Sequence, residues 1–453
     1  MSNMDLGRDN PLKLLLHYSM PAMVGQLVNA IYNLMDRVFI SYSVGPEAFS
    51  SMAVTGAIFV ILQSVGMLIG IGAATCISLA WGNGEREKAE KILGSAVTAL
   101  LITSLVVMAF VLTCLEQVLL FFGASADTIS YGAEYLRIIM LGFPFMTLSV
   151  GLYHITRAVG NPTKAMYAMV LSSVLDTGLN ALFLFGFHWG VAGAALSTVI
   201  AQAASLAYIL RLLLGGGHEI RFRTSSLFPS RPLLKAVYLT GSSTFFTQVA
   251  SSLIQAVANN QLLRYENSFA VGAYGAINVT YMIFLMPVYG IGQGCQPIIG
   301  YNYGAKLYRR ARRIFYLSLL LGFFVGLSGW LCFQLGAQPL MAFFTNGDAK
   351  IMEYAVPGLR KLTFLFPIAC VQAVGQVYFQ TIGRPKITLA LSFLRQLVFF
   401  IPLFYILPLF FGTDGVWYTV PVSELAAFLC TGTALAVTIT RMKRREADQT
   451  AED

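Results

Sequence analysis

Apolar runs of about 20 residues, the length that crosses the hydrocarbon core of a bilayer, recur along this chain from Leu12 to about residue 440. No other feature limits its fold so tightly. Inside lipid each backbone N–H and C=O must find a partner within the protein, so such runs read as helices. Twelve are counted, near 12–42, 48–80, 88–114, 127–156, 162–186, 190–213, 232–262, 268–302, 308–335, 348–382, 385–411 and 414–440. Only 11% of residues are charged and the mean hydropathy is +0.69, whereas soluble domains carry roughly 25% charged residues. The 453 residues therefore form an all-α polytopic membrane protein, not two or three soluble domains.

No cleavable leader is expected. Met1 to Pro11 is polar, and the run from Leu12 to Ser41 exceeds the roughly 7–15 apolar residues of a signal core. The six cysteines (Cys76, Cys114, Cys295, Cys332, Cys370, Cys430) lie in or beside apolar runs with no CxxC pair, so they read as buried thiols. The net charge of +9 could suggest nucleic acid, but most basic residues fall between spans. With both termini in the cytoplasm, the inside segments hold Arg86, Lys88, Lys91, Arg157 and Lys164, then the central stretch from Arg211 to Lys235. Arg309, Arg310, Arg312, Arg313, Arg384, Lys386 and the cluster from Arg441 to Arg445 follow on the same side. This is the positive-inside pattern, and it orients the chain in a cytoplasmic membrane.

The chain also says things twice. The polar break RLLLGGGHEIRFRTSSLFPSRP (211–232) separates two six-span halves. YLRIIMLGFP (135–144) matches GLRKLTFLFP (358–367), pairing Arg137 with Arg360 and Pro144 with Pro367. RAVGNP (157–162) matches QTIGRP (380–385), where glycine lets the backbone leave one helix and proline opens the next. GIGAATCISLAWGNG (70–84) matches GIGQGCQPIIGYNYG (290–304), with Gly70, Gly72 and Gly84 facing Gly290, Gly292 and Gly304. The expected division is an N-terminal six-helix lobe over 1–214, a cytoplasmic linker over 215–231, a C-terminal lobe over 232–441 and a solvated tail over 442–453. Six spans per half make the halves parallel repeats about an axis along the membrane normal, an arrangement suited to alternating access.

With these turns and the stretch PAMVGQLVNAIYNLMDRVFIS (21–41), the chain resembles the multidrug and toxic compound extrusion (MATE) family, prokaryotic type. GVAGAALSTVIAQ (190–202), with a weaker echo after Gly415, adds to the likeness, which runs from Pro11 to about Arg441. The resemblance implies a V-shaped pair of six-helix bundles and export of cationic or amphipathic compounds against a proton or sodium gradient. A related lipid-linked oligosaccharide flippase, or a membrane receptor or assembly factor that transports nothing, stays open as an alternative. The chain is expected to act as a monomer, to need no cofactor beyond the coupling ion, and not to be an enzyme. It holds no GxxxxGK[ST], HExxH or GxSxG motif.

Candidate chemistry starts at Asp36. An aspartate at a bilayer centre costs about 2.5–3.5 kcal/mol on insertion scales, less near a span's end, where Asp36 lies. Gln26, Asn29, Asn33 and Asp36 share one face of the first span, and such a polar stripe belongs toward a cavity or other helices. Arg37 points about 100° away and is free to snorkel outward. In the fifth span Ser172, Asp176 and Asn180 are four apart on one face, and Thr198 in the sixth offers a further oxygen. Hard cations prefer oxygen ligands, so these residues form a candidate proton or sodium site. Asp36 and Asp176 match the coupling aspartates of the resembled family; Asn180 and Thr198 are carried over with them. A purely structural role, tying helices together, stays open for each.

The second half repeats the stripe without the acid. Gln248, Ser252, Gln255 and Asn259 share a face of the seventh span, and aligning Gln26 with Gln248 puts Ala258 where Asp36 stands. Acidic residues that one branch of the family places in its seventh and tenth spans are represented here by Gln255, Gln372 and Gln376. Tyr32, Tyr153, Met282, Met286 and Tyr378 are candidates to line an adaptable substrate cavity, beside the polar Gln26, Asn29, Asn33, Gln248, Gln255, Asn259, Gln372 and Gln376. His154 reads as a hydrogen-bonded structural histidine. Two further intramembrane charges, Arg395 and Glu424, are expected to pair in the place that the cation site takes in the first half.

Overall fold

The computed structural model describes residues 5–43, 46–124, 128–215, 220, 222, 224–228 and 230–452. The side chains of 37, 41–43, 46–53, 224, 225 and 444–452 lie outside that description, and with them the expected snorkelling of Arg37. Helix is the regular structure of the described residues, and no strand forms among them.

In chain order the long helices are α1 (Pro11–Ser43), α2 (Pro46–Gly82), α3 (Arg86–Thr113) and α4 (Ile129–Ala158). Then come α5 (Pro162–Gly186), α6 (Gly190–Leu214), α7 (Arg231–Tyr265) and α8 (Ser268–Gly304). The last four are α9 (Tyr308–Leu335), α10 (Ala349–Leu362 and Phe366–Thr381), α11 (Pro385–Phe411) and α12 (Thr413–Glu452). Nine of them are apolar and long enough to cross a membrane among the described residues, or ten with the bent α10 counted once. The other two are α1 and α7, whose polar stripes lower their hydropathy. The expected tail after Arg441 continues the backbone of α12 as helix to Glu452.

The repeated turns behave alike. Gly160 and Gly383 take φ of +94° and +73°, a left-handed conformation that suits glycine, and Pro162 and Pro385 open the next helix. The matched prolines do not. Pro144 sits inside an unbroken α4, whereas α10 breaks just before Pro367 and bends by 55°.

Packing divides the chain into two compact units, Val24–Gln248 and Met4–Met23 with Val249–Asp453, a different division from that drawn at the polar break. Each unit thus includes the opening stretch of a helix that the other completes. In the first unit, α2 glycines let α7 come close. A Cβ on Gly72 would lie 2.1 Å from Val237 O, and one on Gly241 only 1.7 Å from Leu68 O. Tyr238 adds a hydrogen bond to Thr103 Oγ1 at 2.7 Å. In the second unit α8 glycines receive α1: a Cβ on Gly290 would lie 2.5 Å from Met23 Cα, and one on Gly294 2.5 Å from Ser19 Cα. Asn302 Nδ2 then holds Leu6 O at 2.9 Å, and Arg310 donates to the carbonyls of Leu6 and Asp9. The two close approaches use different glycines, since Gly70 and Gly292, the repeat partners of Gly290 and Gly72, meet Gly151 and Val377 instead.

Candidate functional site

Two acidic residues of the first unit, Asp36 and Asp176, come together where α1, α5 and α6 meet. Asp36 is half-buried on α1, and Asn180 Nδ2 on α5 donates to its Oδ1 at 2.6 Å. One turn earlier on α5, Asp176 is 2% exposed. Ser197 Oγ of α6 donates to its Oδ1 at 3.4 Å, and Thr198 faces the same carboxyl. Asp176 Oδ2 and Asn180 Oδ1 are both buried without a hydrogen-bond partner among the described residues. Two open acceptors one turn apart on a helix are neighbours, and a buried acceptor left unpaired is costly. The arrangement therefore favours a proton or a small cation there. No group of three or more His, Cys, Asp or Glu side chains gathers among the described residues.

Local structure explains why these groups meet. Asn180 is fully buried at the end of regular α5, and the next turn, Leu182–Gly186, is π-helical. Such a turn widens the helix and is frequent at functional sites. It also aims Phe185 edge-on at Phe39 of α1, with ring centroids 5.5 Å apart. Phe39 is one turn from Asp36, so this contact fixes α1 against α5 next to the Asp36–Asn180 bond. Phe183 packs 4.9 Å from the Trp189 ring and closes the turn into α6.

The aromatic and amide candidates divide into groups. Tyr32 and Tyr153 are each 8% exposed; Tyr32 faces both Asp36 and Asp176, and Tyr153 Oη is hydrogen-bonded with Ser205 Oγ at 3.0 Å. Asn33 turns back on its own helix, donating to Asn29 O at 2.7 Å, and Gln26 is 9% exposed. Gln248 falls in the first unit; Ser252, Gln255 and Asn259 fall in the second. Gln255 Oε1 accepts a hydrogen bond from Asn278 Nδ2, and Asn259 is half-buried. Gln372 donates to Gln376 Oε1 at 3.4 Å, and Gln376 donates to Ser392. Met286 is half-buried and Met282 is 36% exposed.

Tyr378 is 1% exposed, packs 4.1 Å from the Phe315 ring and donates to Met442 Sδ. His154 is buried as expected, but its Nδ1 has no hydrogen-bond partner among the described residues. Arg395 and Glu424 do pair, with Nη2 donating to Oε1 at 2.7 Å. Ser197, Ser205, Asn278 and Ser392 were not singled out in the sequence. Ser197 stands beside Thr198 in GAALST, which was the available signal; lone serines in apolar helices give none.

The MatE family profile matches the chain twice, over residues 21–182 and 244–406. The chain is similar to Multidrug export protein MepA of Staphylococcus saprophyticus, 27% identical over 438 residues that span 93% of this chain and 94% of that protein. It is 26% identical to MepA of Staphylococcus aureus strain MSSA476 over 431 residues, 92% of each chain. Among solved structures, the outward-facing conformation of a multidrug resistance MATE family transporter of the MOP superfamily superposes with a TM-score of 0.93. It shares 22% identity, over 98% of this chain and 99% of that one, which establishes the fold.

Proposed function

Because the chain belongs to the MatE family, we propose that it is a multidrug efflux transporter that exchanges a proton or sodium ion for its substrate. The substrate class is cationic or amphipathic small molecules, in keeping with the named activity of the MepA relatives. The ion enters at Asp36 and Asp176, held in place by Asn180, Ser197 and Thr198. One observation carries this reading: Asp176 Oδ2 and Asn180 Oδ1, one turn apart on α5, are both buried and unpartnered among the described residues. A single proton on Asp176 satisfies both, since it donates to Asn180 Oδ1. A sodium ion satisfies them by accepting both as ligands.

Ion uptake removes the charge that Asp36 and Asp176 present to each other and weakens the grip of Asn180 on Asp36. The segment of α1 from Val24 onward is then freed to adjust about Pro21, which supplies no backbone N–H to the helix. Uptake from the outside thereby promotes substrate release, and the empty carboxylates return to receive the next ion. The protein sits in the cytoplasmic membrane with both termini inside, as the positive-inside distribution supports.

The deciding test is transport in proteoliposomes with sodium and pH gradients varied one at a time. Efflux of a fluorescent cationic dye that follows either gradient supports the proposal and names the ion. Dye movement indifferent to both gradients refutes it.

A further inference from the structure

The second unit holds a charged pair to which ion exchange at Asp36 and Asp176 gives no role. Arg395, on the π-helical stretch Leu394–Phe400 of α11, donates Nε and Nη2 to Glu424 Oε1 of α12 at 3.2 and 2.7 Å. The two side chains are 14% and 2% exposed, and Glu424 Oε2 has no partner among the described residues. Tyr281 and Tyr289 of α8 and Cys370 of α10 are the ionisable groups that face the pair. Phenols and thiols are neutral at physiological pH, so Arg395 alone balances Glu424. Stability does not account for such a pair, because packed apolar residues of similar volume commonly serve as well or better.

Repeat register supplies a reason. α5 and α11 begin at Pro162 and Pro385 after equivalent turns, which sets Ser172 against Arg395. On α6 and α12 the echo that sets Gly190 against Gly415 puts Ser423 opposite Thr198, so Glu424 stands next to that counterpart. In the first unit this helix pair holds Asp176 with an open acceptor and Ser197 as its donor. In the second it holds an acid whose positive partner is covalently fixed. We propose that Arg395 is a tethered cation: its guanidinium takes, in the second lobe, the place of an exchangeable ion and so confines ion coupling to the first. This rests on Asp36 and Asp176 being the coupling carboxylates. A side chain anchored beside its acid acts at a high effective concentration, so free ions do not displace it.

The experiment is the reversal potential of substrate flux in proteoliposomes, which reads ions moved per substrate. Arg395→Met is expected to raise that ratio by one over the wild type, because Glu424 then takes up and releases an ion of its own. Arg395→Lys, which keeps a tethered charge, and Arg395→Met with Glu424→Gln should both return the wild-type ratio. An unchanged ratio in folded Arg395→Met overturns the proposal, as does a raised ratio that survives in the double variant. Asp176→Asn separates the two levels of inference. If it stays coupled, the parent reading fails; if it uncouples while Arg395→Met keeps the wild-type ratio, only the tether fails. Where Arg395→Met does not fold, Arg395→Ala in detergent is tested with millimolar guanidinium. A rise in melting temperature that disappears with Glu424→Gln supports a vacated cation site, and no rise overturns it.

Discussion

Asp176→Asn is the most direct probe of the proposed ion site, because it removes a charge with almost no change of shape. The carboxylate accepts a long hydrogen bond from Ser197, at 3.4 Å, and Thr198 faces it as well. Interhelical side-chain bonds in membranes average about 0.6 kcal/mol, so the variant should fold with a stability within about 1 kcal/mol of wild type. Transport should change far more. Asp176 and Asn180, one turn apart, offer one open acceptor each, which suits one ion. In one-for-one exchange a tenfold ion gradient sustains at most a tenfold substrate gradient, about 1.4 kcal/mol. Vesicles bearing the wild type should approach that ratio for a fluorescent cationic dye, and those bearing Asp176→Asn should reach unity. Counterflow of labelled against unlabelled dye, without any ion gradient, should persist in the variant and so exclude simple misfolding. An Asp176→Asn protein that still builds a tenfold dye gradient refutes the ion assignment.

Three further outcomes test packing and hydrogen bonding elsewhere in the two units. Gly241→Ala places a Cβ 1.7 Å from Leu68 O, and backbone cannot rotate aside. Overpacking of this kind costs about 1–3 kcal/mol or more, visible as an early thermal transition in detergent. Tyr153→Phe loses the bond to Ser205 Oγ at 3.0 Å, a change of about 1 kcal/mol. Because that hydroxyl is already engaged within the first unit, dye affinity measured by fluorescence should shift less than about threefold, or 0.7 kcal/mol; a tenfold loss would make Tyr153 a substrate contact. Arg310→Ala removes the donors that hold the Leu6 and Asp9 carbonyls. With roughly 1 kcal/mol lost from a half-exposed charged bond, amide exchange over residues 6–12 should quicken about fivefold.

Those pairs show where the sequence was readable and where it was not. Twelve helices, the glycine–proline turns and the Asp36, Asp176, Asn180 set follow from hydrophobic length, backbone chemistry and helical spacing, all local properties. The repeated glycines at Gly70, Gly72, Gly290 and Gly292 were equally visible, but their purpose was not. Their partners, Gly151, Val237, Met23 and Val377, lie far along the chain. The same distance hid the handover of α1 and α7 between packing units, since the polar break at 211–232 marks a loop and not the edge of a core. The role of Tyr378 was not legible, because an aromatic in an apolar helix has no spacing that distinguishes packing from cavity lining. Ser197 and Asn278 escaped notice because a single polar atom matters only through what stands opposite it.

The two halves differ most at the positions where a symmetric exchanger would need them alike. On α1 the stripe ends in Asp36; on α7 the equivalent face continues with Ala258, which is fully buried. On α5 an acid with an open oxygen leads into a π-turn, whereas on α11 an arginine occupies the π-helical stretch itself. Both fifth helices contain a widened stretch, but Leu394–Phe400 aligns with residues 171–177 rather than with Leu182–Gly186, so the distortion and the charge both differ between the repeats. If both lobes exchanged ions, each cycle would need two such sites to fill and empty in step. A fixed guanidinium in one lobe removes that requirement, leaving Asp176 as the titrating group and α1 as the helix that responds to it. On this account the export reading and the Arg395–Glu424 pair have one explanation: duplication supplied two sites, and arginine closed one.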